Sequence, residues 1–288
     1  SEIRAYDVIY EKKKQKEKTI LIPNVTWAFA QMATAAIRKQ GYRVEPMPIA
    51  NEKAIKLGKK YVHNDMCFPA QINIGEFLSV LDKGEYDPDQ VVLGLAKSQC
   101  DCRLAHYAMM ARQALDDAGY EQIPIITTDE DTKGMHPGFK LGPLFELRML
   151  WGLIMNDILE DLRRKIRPYE LNKGETDRVF EESIHAICRG FETSLKGAQD
   201  AFERSIDEFR RIEYDRSERK PRVFMIGEFL LNFHPGSNNR IEEYLEENGI
   251  EVIMPNLFYN MHREYLLEID QKEEYHVSHP AVQIFITK

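Results

Sequence analysis

The chain has 288 residues, of which 43% are hydrophobic and 30% charged, a soluble globular balance that excludes global disorder and leaves room for one large domain or two ordinary ones. Acidic side chains outnumber basic ones 47 to 39, and the formal charge of −8 excludes a broad nucleic-acid-binding face, which has to be basic. No apolar run approaches the roughly 20 residues of a membrane span, the charged N-terminus has no secretory apolar stretch, and four cysteines in so long a chain make no disulfide framework, so the expectation is a reduced cytoplasmic protein.

Residues 1–18 read as a charged, solvated leader ending in Glu11-Lys-Lys-Lys-Gln-Lys-Glu-Lys18. Thr19-Ile-Leu-Ile-Pro23 is a short apolar run closed by proline, the pattern of a buried strand. Apolar residues at helical spacing then predict a helix over 27–39, with Gly41 placed to end it. The stretch 42–48 carries prolines at 46 and 48 and reads as an edge strand. A helix is expected to begin around Pro69, a strand over 90–95, a helix over 104–118 and a strand over 123–127. Strands alternating with helices predict a parallel sheet covered by helices, so residues 19–135 read as a first α/β unit.

From Leu141 the pattern changes. Leu144, Leu147, Leu150, Ile154, Ile158, Leu162 and Ile166 recur at helical spacing until Pro168 stops them, and a second helical stretch covers 175–212 with a break between Gly190 and Gly197. Residues 136–219 therefore form a helical bridge. Strands over 221–227 and 250–254, with a helix over 238–248 between them, predict a second, incomplete α/β unit over 220–288. The fold class is α/β, two flavodoxin-like (Rossmann-like) parallel-sheet units joined by long helices.

Phosphate-loop, dinucleotide, serine-hydrolase and zincin motifs are all absent from the sequence. Cysteine placement is more informative. Cys67 precedes the helix near Pro69, and Cys100 and Cys102 follow the strand over 90–95, so both segments belong at the carboxyl edge of the sheet, where α/β sites are built. A thiol at a helix N-terminus has its thiolate form favoured, and clustered thiolates suit zinc or an iron–sulfur group. The competing reading is that cysteine is a small, often buried hydrophobe, and no Cys-x-x-Cys occurs. Cys188, in the middle of a helical stretch, reads as core. His276 and His279 lack a partner at matching spacing, His106 falls four residues after Cys102, His234 reads as part of a turn, and the acidic run 242–247 reads as a solvated helix face.

Around Cys67 and Cys102 the chain resembles the dehydratase-like region of proteins related to 2-hydroxyacyl-CoA (2-hydroxyglutaryl-CoA) dehydratases and their activators. The likeness is carried by Thr19-Ile-Leu-Ile-Pro23, Gly58-Lys-Lys-Tyr-Val-His-Asn-Asp-Met-Cys-Phe-Pro-Ala70, Cys102-Arg-Leu-Ala-His-Tyr107, His136-Pro-Gly-Phe-Lys140, Arg167-Pro-Tyr-Glu-Leu-Asn-Lys-Gly-Glu175, Lys220-Pro-Arg-Val-Phe-Met-Ile-Gly-Glu228, Asn238 and Asn239, in collinear order from about residue 19 to residue 258. The resemblance implies tandem flavodoxin-like domains holding a 4Fe-4S cluster on three cysteines. It also implies a separate ATP-hydrolysing activator of the actin-like fold that injects one electron. The electron reaches the thioester carbonyl of a 2-hydroxyacyl-CoA, and the ketyl radical expels the hydroxyl. By the same resemblance Cys67 and Cys102 are the metal ligands and Cys100, where relatives carry glycine, is a local extra. Cys100 offers a third cofactor-binding position, although its one-residue separation from Cys102 is unlike the usual cluster runs, and on the redox reading Asn64 and Arg103 surround the site, with His106 toward the same sheet edge. A further family cysteine, in a Gly-Cys-x-Pro context, does not occur in this chain, and the residues after about Tyr259 do not match.

Two functions follow. The first is an iron–sulfur redox module of a dehydratase-like lyase, acting on acyl-CoA or relaying electrons, with the ATPase as its partner and no nucleic acid or membrane involved. The alternative is a non-catalytic scaffold or interaction domain of a large activator-like protein, with no cluster of its own. Either way the chain is expected to be part of a larger polypeptide or oligomer.

Overall fold

Strand β1 (Thr19–Ile22) is central to a four-stranded sheet in which every neighbouring pair is parallel. The computed structural model describes residues 4–97, 102–128, 135–142 and 144–259. Helix α1 (Lys12–Gln15) precedes β1, and α2 (Trp27–Arg38) and β2 (Arg43–Pro46) follow it. The chain continues through α3 (Glu52–Tyr61), α4 (Phe68–Asp82), β3 (Val91–Leu95), α5 (Tyr107–Asp117) and β4 (Ile125–Thr127). The strand order is β2-β1-β3-β4, with Thr19 paired to Arg43 on one side and to Val91 on the other. After β2 the chain crosses back over β1, and that reversal opens a crevice at the carboxyl ends of β1 and β3.

The strand period of two sorts the core. Ile20, Val92, Val44 and Ile126 pack with Tyr42 and Ile37 on one face, whereas Leu21, Leu93, Leu95 and Ile125 pack with Phe77, Leu78 and Leu115 on the other. All five residues of β3 are buried, as a strand covered by helices on both faces requires, while β2 alternates as an edge strand does. The expected edge strand is therefore found where the prolines placed it.

Helices α3 and α4 approach unusually closely. A Cβ on Gly58 would lie 1.9 Å from the Gln71 carbonyl oxygen, and one on Gly75 would lie 2.1 Å from that of Ala54. Only glycine permits this contact, which holds the α3–α4 loop, and Cys67 with it, in place.

Helix α6 (Leu144–Ile166) ends in a single 3-10 turn containing Pro168, as expected. Helices α7 (Glu175–Thr193) and α8 (Leu195–Arg211) then form a hairpin whose break falls at Ser194, inside the expected interval. The Ser194 hydroxyl caps α8 by accepting from Gly197 N at 2.9 Å. This bridge packs on α2 through Met155, Leu159, Phe180, Ile184 and Phe191, so α2 lies between the sheet and the bridge. Cys188, expected in the core, is half-buried against that second core, and burial pushes its thiol up to about 12.

Strand β5 (Arg222–Phe224), α9 (Phe229–Phe233), α10 (Ile241–Glu247) and β6 (Glu251–Ile253) complete the described chain, with β5 and β6 parallel. No helix among the described residues is long and apolar enough to cross a membrane.

Three expectations need correction. The leader is not simply solvated: Ala5 and Tyr10 are buried, Tyr10 N donates to His136 Nδ1 at 3.0 Å, and Lys12 Nζ reaches the Gln40 carbonyl at 2.8 Å. Its lysine run hid the two residues that anchor it. The acidic run 242–247 is not wholly a solvated face: Arg167 grips Glu246 with two bonds of 2.7 and 2.9 Å, and Arg164 and Arg167 share Glu242 Oε1 at 3.2 and 3.0 Å. Burial opposes charge on Glu242, but the two guanidinium groups outweigh it and hold the carboxyl below the usual carboxylate range. Finally, His234 is wholly buried and its ring joins the segment after α9 to α4, so it is more than a turn residue.

Candidate functional site

Both described candidate cysteines stand immediately before a helical segment, and Cys102 makes the capping bond. Cys67 has extended backbone (φ −62°, ψ 144°) immediately before α4, with a proline in the first turn, where its missing N–H costs nothing. Cys102, similarly extended (φ −78°, ψ 142°), precedes a 3-10 turn over Arg103–His106, and its sulfur accepts from Leu104 N at 3.5 Å. The two segments are tied by Arg103, whose Nη1 donates to the Asp65 carbonyl at 2.8 Å.

One of the two thiols meets a buried phenol. Tyr107, the first residue of α5, is buried, and its hydroxyl lies 2.9 Å from Cys67 Sγ. Burial, the hydrogen bond with Cys67 and the nearby charges of Cys67, Cys102 and Glu228 push its phenol above the ordinary tyrosine range. The phenol and the Cys67 thiol share this hydrogen bond. Glu228 reaches this electrostatic neighbourhood from the second sheet unit, where its carboxyl caps α9 by accepting from Leu231 N at 3.1 Å.

The remaining expected residues divide plainly. Arg103 is at the site and joins its two loops. Asn64 is exposed in the α3–α4 loop, and His106 is exposed at the start of α5. Cys100, His276 and His279 lie outside the described residues. Among the described residues, no three histidine, cysteine, aspartate or glutamate side chains gather closely enough to hold a metal ion. Two thiols at helical N-termini suit a soft metal or iron–sulfur group in donor type, but they are two of the four positions such a cluster offers. The donors fit the group in kind, and Cys100, two residues before Cys102, is the candidate to extend them.

Sequence reasoning missed Tyr107 and Glu228 as site residues, although both end stretches that carry the family resemblance. It also missed the clamp behind the site. Glu76, on the same helix that Cys67 caps, accepts from Ala50 N at 2.9 Å and from His234 Nε2 at 2.8 Å, with the Glu76 and His234 side chains both fully enclosed. Ser237 N donates to His234 Nδ1 at 3.1 Å, which places the ring proton on Nε2. The segment that follows α9 is thereby fixed to the helix that Cys67 precedes.

No protein-family model and no curated protein matches the chain.

Proposed function

We propose that the chain is an iron–sulfur redox module of the 2-hydroxyacyl-CoA dehydratase and activator-related family, taking part in the ATP-activated dehydration or reduction of acyl-CoA thioesters or relaying electrons to that chemistry. The observation that carries this reading is the placement of Cys67 and Cys102 immediately before two helical segments that Arg103 ties together, with the buried Tyr107 hydroxyl 2.9 Å from Cys67 Sγ. On this reading the parallel sheets containing β1–β4 and β5–β6 are two flavodoxin-like units, with the thiols at the carboxyl edge of the first.

A bound 4Fe-4S cluster supplies low-potential one-electron transfer. The chain's own residues hold and insulate it. Cys67 and Cys102 are its ligands, with Cys100 as the third candidate. Arg103 keeps the two loops together, and Asn64 and His106 border the site from the solvent side. The ATPase that drives the electron uphill is a separate domain or protein of the actin-like fold, and the setting is cytoplasmic.

One observation favours a second reading. Only two soft donors come together among the described residues, as they would in a non-catalytic scaffold of a large activator-like protein. Reconstitution with iron and sulfide without oxygen separates the two. The redox reading predicts a brown protein with an EPR signal on reduction that is lost in Cys67→Ala and Cys102→Ala. A colourless, EPR-silent protein supports the scaffold.

A further inference from the structure

Residues 4–12 are fastened to the body of the protein as a strap. Ala5 packs in the main core with Leu95 and Ile125, and Tyr10 packs with Ile20, Val92 and Ile126 on the other face of the sheet. The segment 136–140 holds the strap along its length. Tyr10 N donates to His136 Nδ1 at 3.0 Å, and Lys12 N donates to the Pro137 carbonyl at 3.0 Å. Gly138, at φ +80°, is the seat for Lys12, because a Cβ there would stand 3.1 Å from Lys12 Cβ. The Tyr42 hydroxyl secures the segment in turn by accepting from Lys140 N at 2.7 Å, and the Lys12 ammonium lies 3.9 Å from the centre of the Tyr42 ring.

One of these contacts is abolished by a single proton. His136 accepts through the Nδ1 lone pair, so the neutral ring carries its proton on Nε2. A second proton would set an N–H against the Tyr10 N–H and would charge a ring that is only 2% exposed. The described groups facing the ring are Tyr6, edge-on at 6.0 Å, Tyr10 and Lys12 from the strap, and the Ile125 carbonyl from β4. None of these is a carboxylate that would hold an imidazolium.

We infer that residues 4–12 form an acid-opened strap: neutral His136 clasps it through Tyr10 N, and protonation of His136 releases it from a folded body, uncovering the apolar seat of Tyr10. The inference is independent of the redox reading. Burial lowers the pKa of the clasped ring, whereas the open ring titrates near the ordinary 6.5. The clasp is therefore fully present above that pH and is lost as pH falls below it. The opening equilibrium rises by at most about tenfold per pH unit.

Amide hydrogen exchange of the full chain, corrected for the intrinsic rate at each pH, tests this from about pH 7.5 to about 5.5. His136→Asn places an amide oxygen near the Nδ1 position and does not titrate. Tyr6→Phe, which removes a strap hydroxyl paired with Thr127, is the control. The expected result is faster exchange of the strap as pH falls, with α7 unchanged, a pH-independent strap in His136→Asn, and the parent's pH dependence in Tyr6→Phe. Nitrogen-15 NMR reads the clasp in the parent without substitution, as a His136 ring protonated on Nε2 at neutral pH. Strap exchange that ignores pH, a strap that opens only together with α7, an unchanged pH dependence in His136→Asn, or a parent ring protonated on Nδ1 at neutral pH overturns the inference.

Discussion

Glu76 and His234 stand 158 positions apart in the chain and meet at 2.8 Å with both side chains sealed from solvent. Glu76 lies on α4, whose first turn is capped by Cys67, and His234 follows α9, which Glu228 caps. One buried hydrogen bond thus ties the second sheet unit to the helix carrying a candidate ligand. Replacing His234 with Phe leaves the enclosed Glu76 carboxyl short of a donor. The expected loss is about 2–3 kcal/mol of stability, read as a lower urea midpoint. An unchanged midpoint would show that the pair contributes nothing to holding the units together.

The α3–α4 contact sets a second expectation. Gly75→Ala places a methyl group 2.1 Å from the Ala54 carbonyl oxygen, in backbone that cannot swing aside as a side chain would. The helices must separate, at a cost of about 1–3 kcal/mol or more, and Cys67 moves with them. Thermal unfolding measures the first effect, and weaker iron binding by the folded variant measures the second. Gly84→Ala, where no atom lies within 4 Å but φ is +69°, separates backbone strain from collision.

His136 gives the fold a pH dependence with a definite sign. Burial lowers its pKa, against an opposing pull from the Ile125 carbonyl, and its Nδ1 accepts from Tyr10 N. The folded state therefore prefers neutral His136, while the unfolded chain protonates near the ordinary value of 6.5. The contribution is fully present above that pH and declines as pH falls below it, by at most about 1.4 kcal/mol per pH unit. Urea midpoints measured from pH 7.5 downward should show the decline, and His136→Gln should flatten it. An identical slope in the variant would assign the decline to other groups.

Thiol labelling distinguishes the cysteines. Cys188 is half-buried against the helical core with its thiol pushed up to about 12, whereas Cys102 is exposed. Iodoacetamide at neutral pH, followed by peptide mass spectrometry, should label Cys102 in the native protein and Cys188 only after unfolding. Rapid native labelling of Cys188 would contradict the packing of α7 and α8.

Much of the architecture was legible because local signals agreed. The apolar runs at 19–22 and 91–95, the turn at Gly41 and the stop at Pro168 each carry a mechanism that acts within a few residues. Helix α3 escaped notice because Lys53, Lys56, Lys59 and Lys60 surround its short apolar stripe and Gly58 lowers its helix propensity. Tyr107 looks like any core tyrosine, and only the fold brings its hydroxyl to a sulfur 40 positions away. His234 resembled a turn residue because Pro235 and Gly236 do mark a turn. Its burial depends on Glu76, which no local pattern can reveal. Cysteine placement pointed to Cys67 and Cys102, but the phenol beside Cys67 is a product of tertiary structure.

The most direct measurement is bound iron and acid-labile sulfide per chain after reconstitution without oxygen, in the parent and in the Cys67→Ala, Cys102→Ala, Cys100→Ala and Cys188→Ala variants. The account predicts about four of each in the parent and in Cys188→Ala, with loss in Cys67→Ala and Cys102→Ala. Cys100→Ala reports whether that residue supplies the third ligand. A parent without iron, or full iron content in Cys67→Ala, would contradict it.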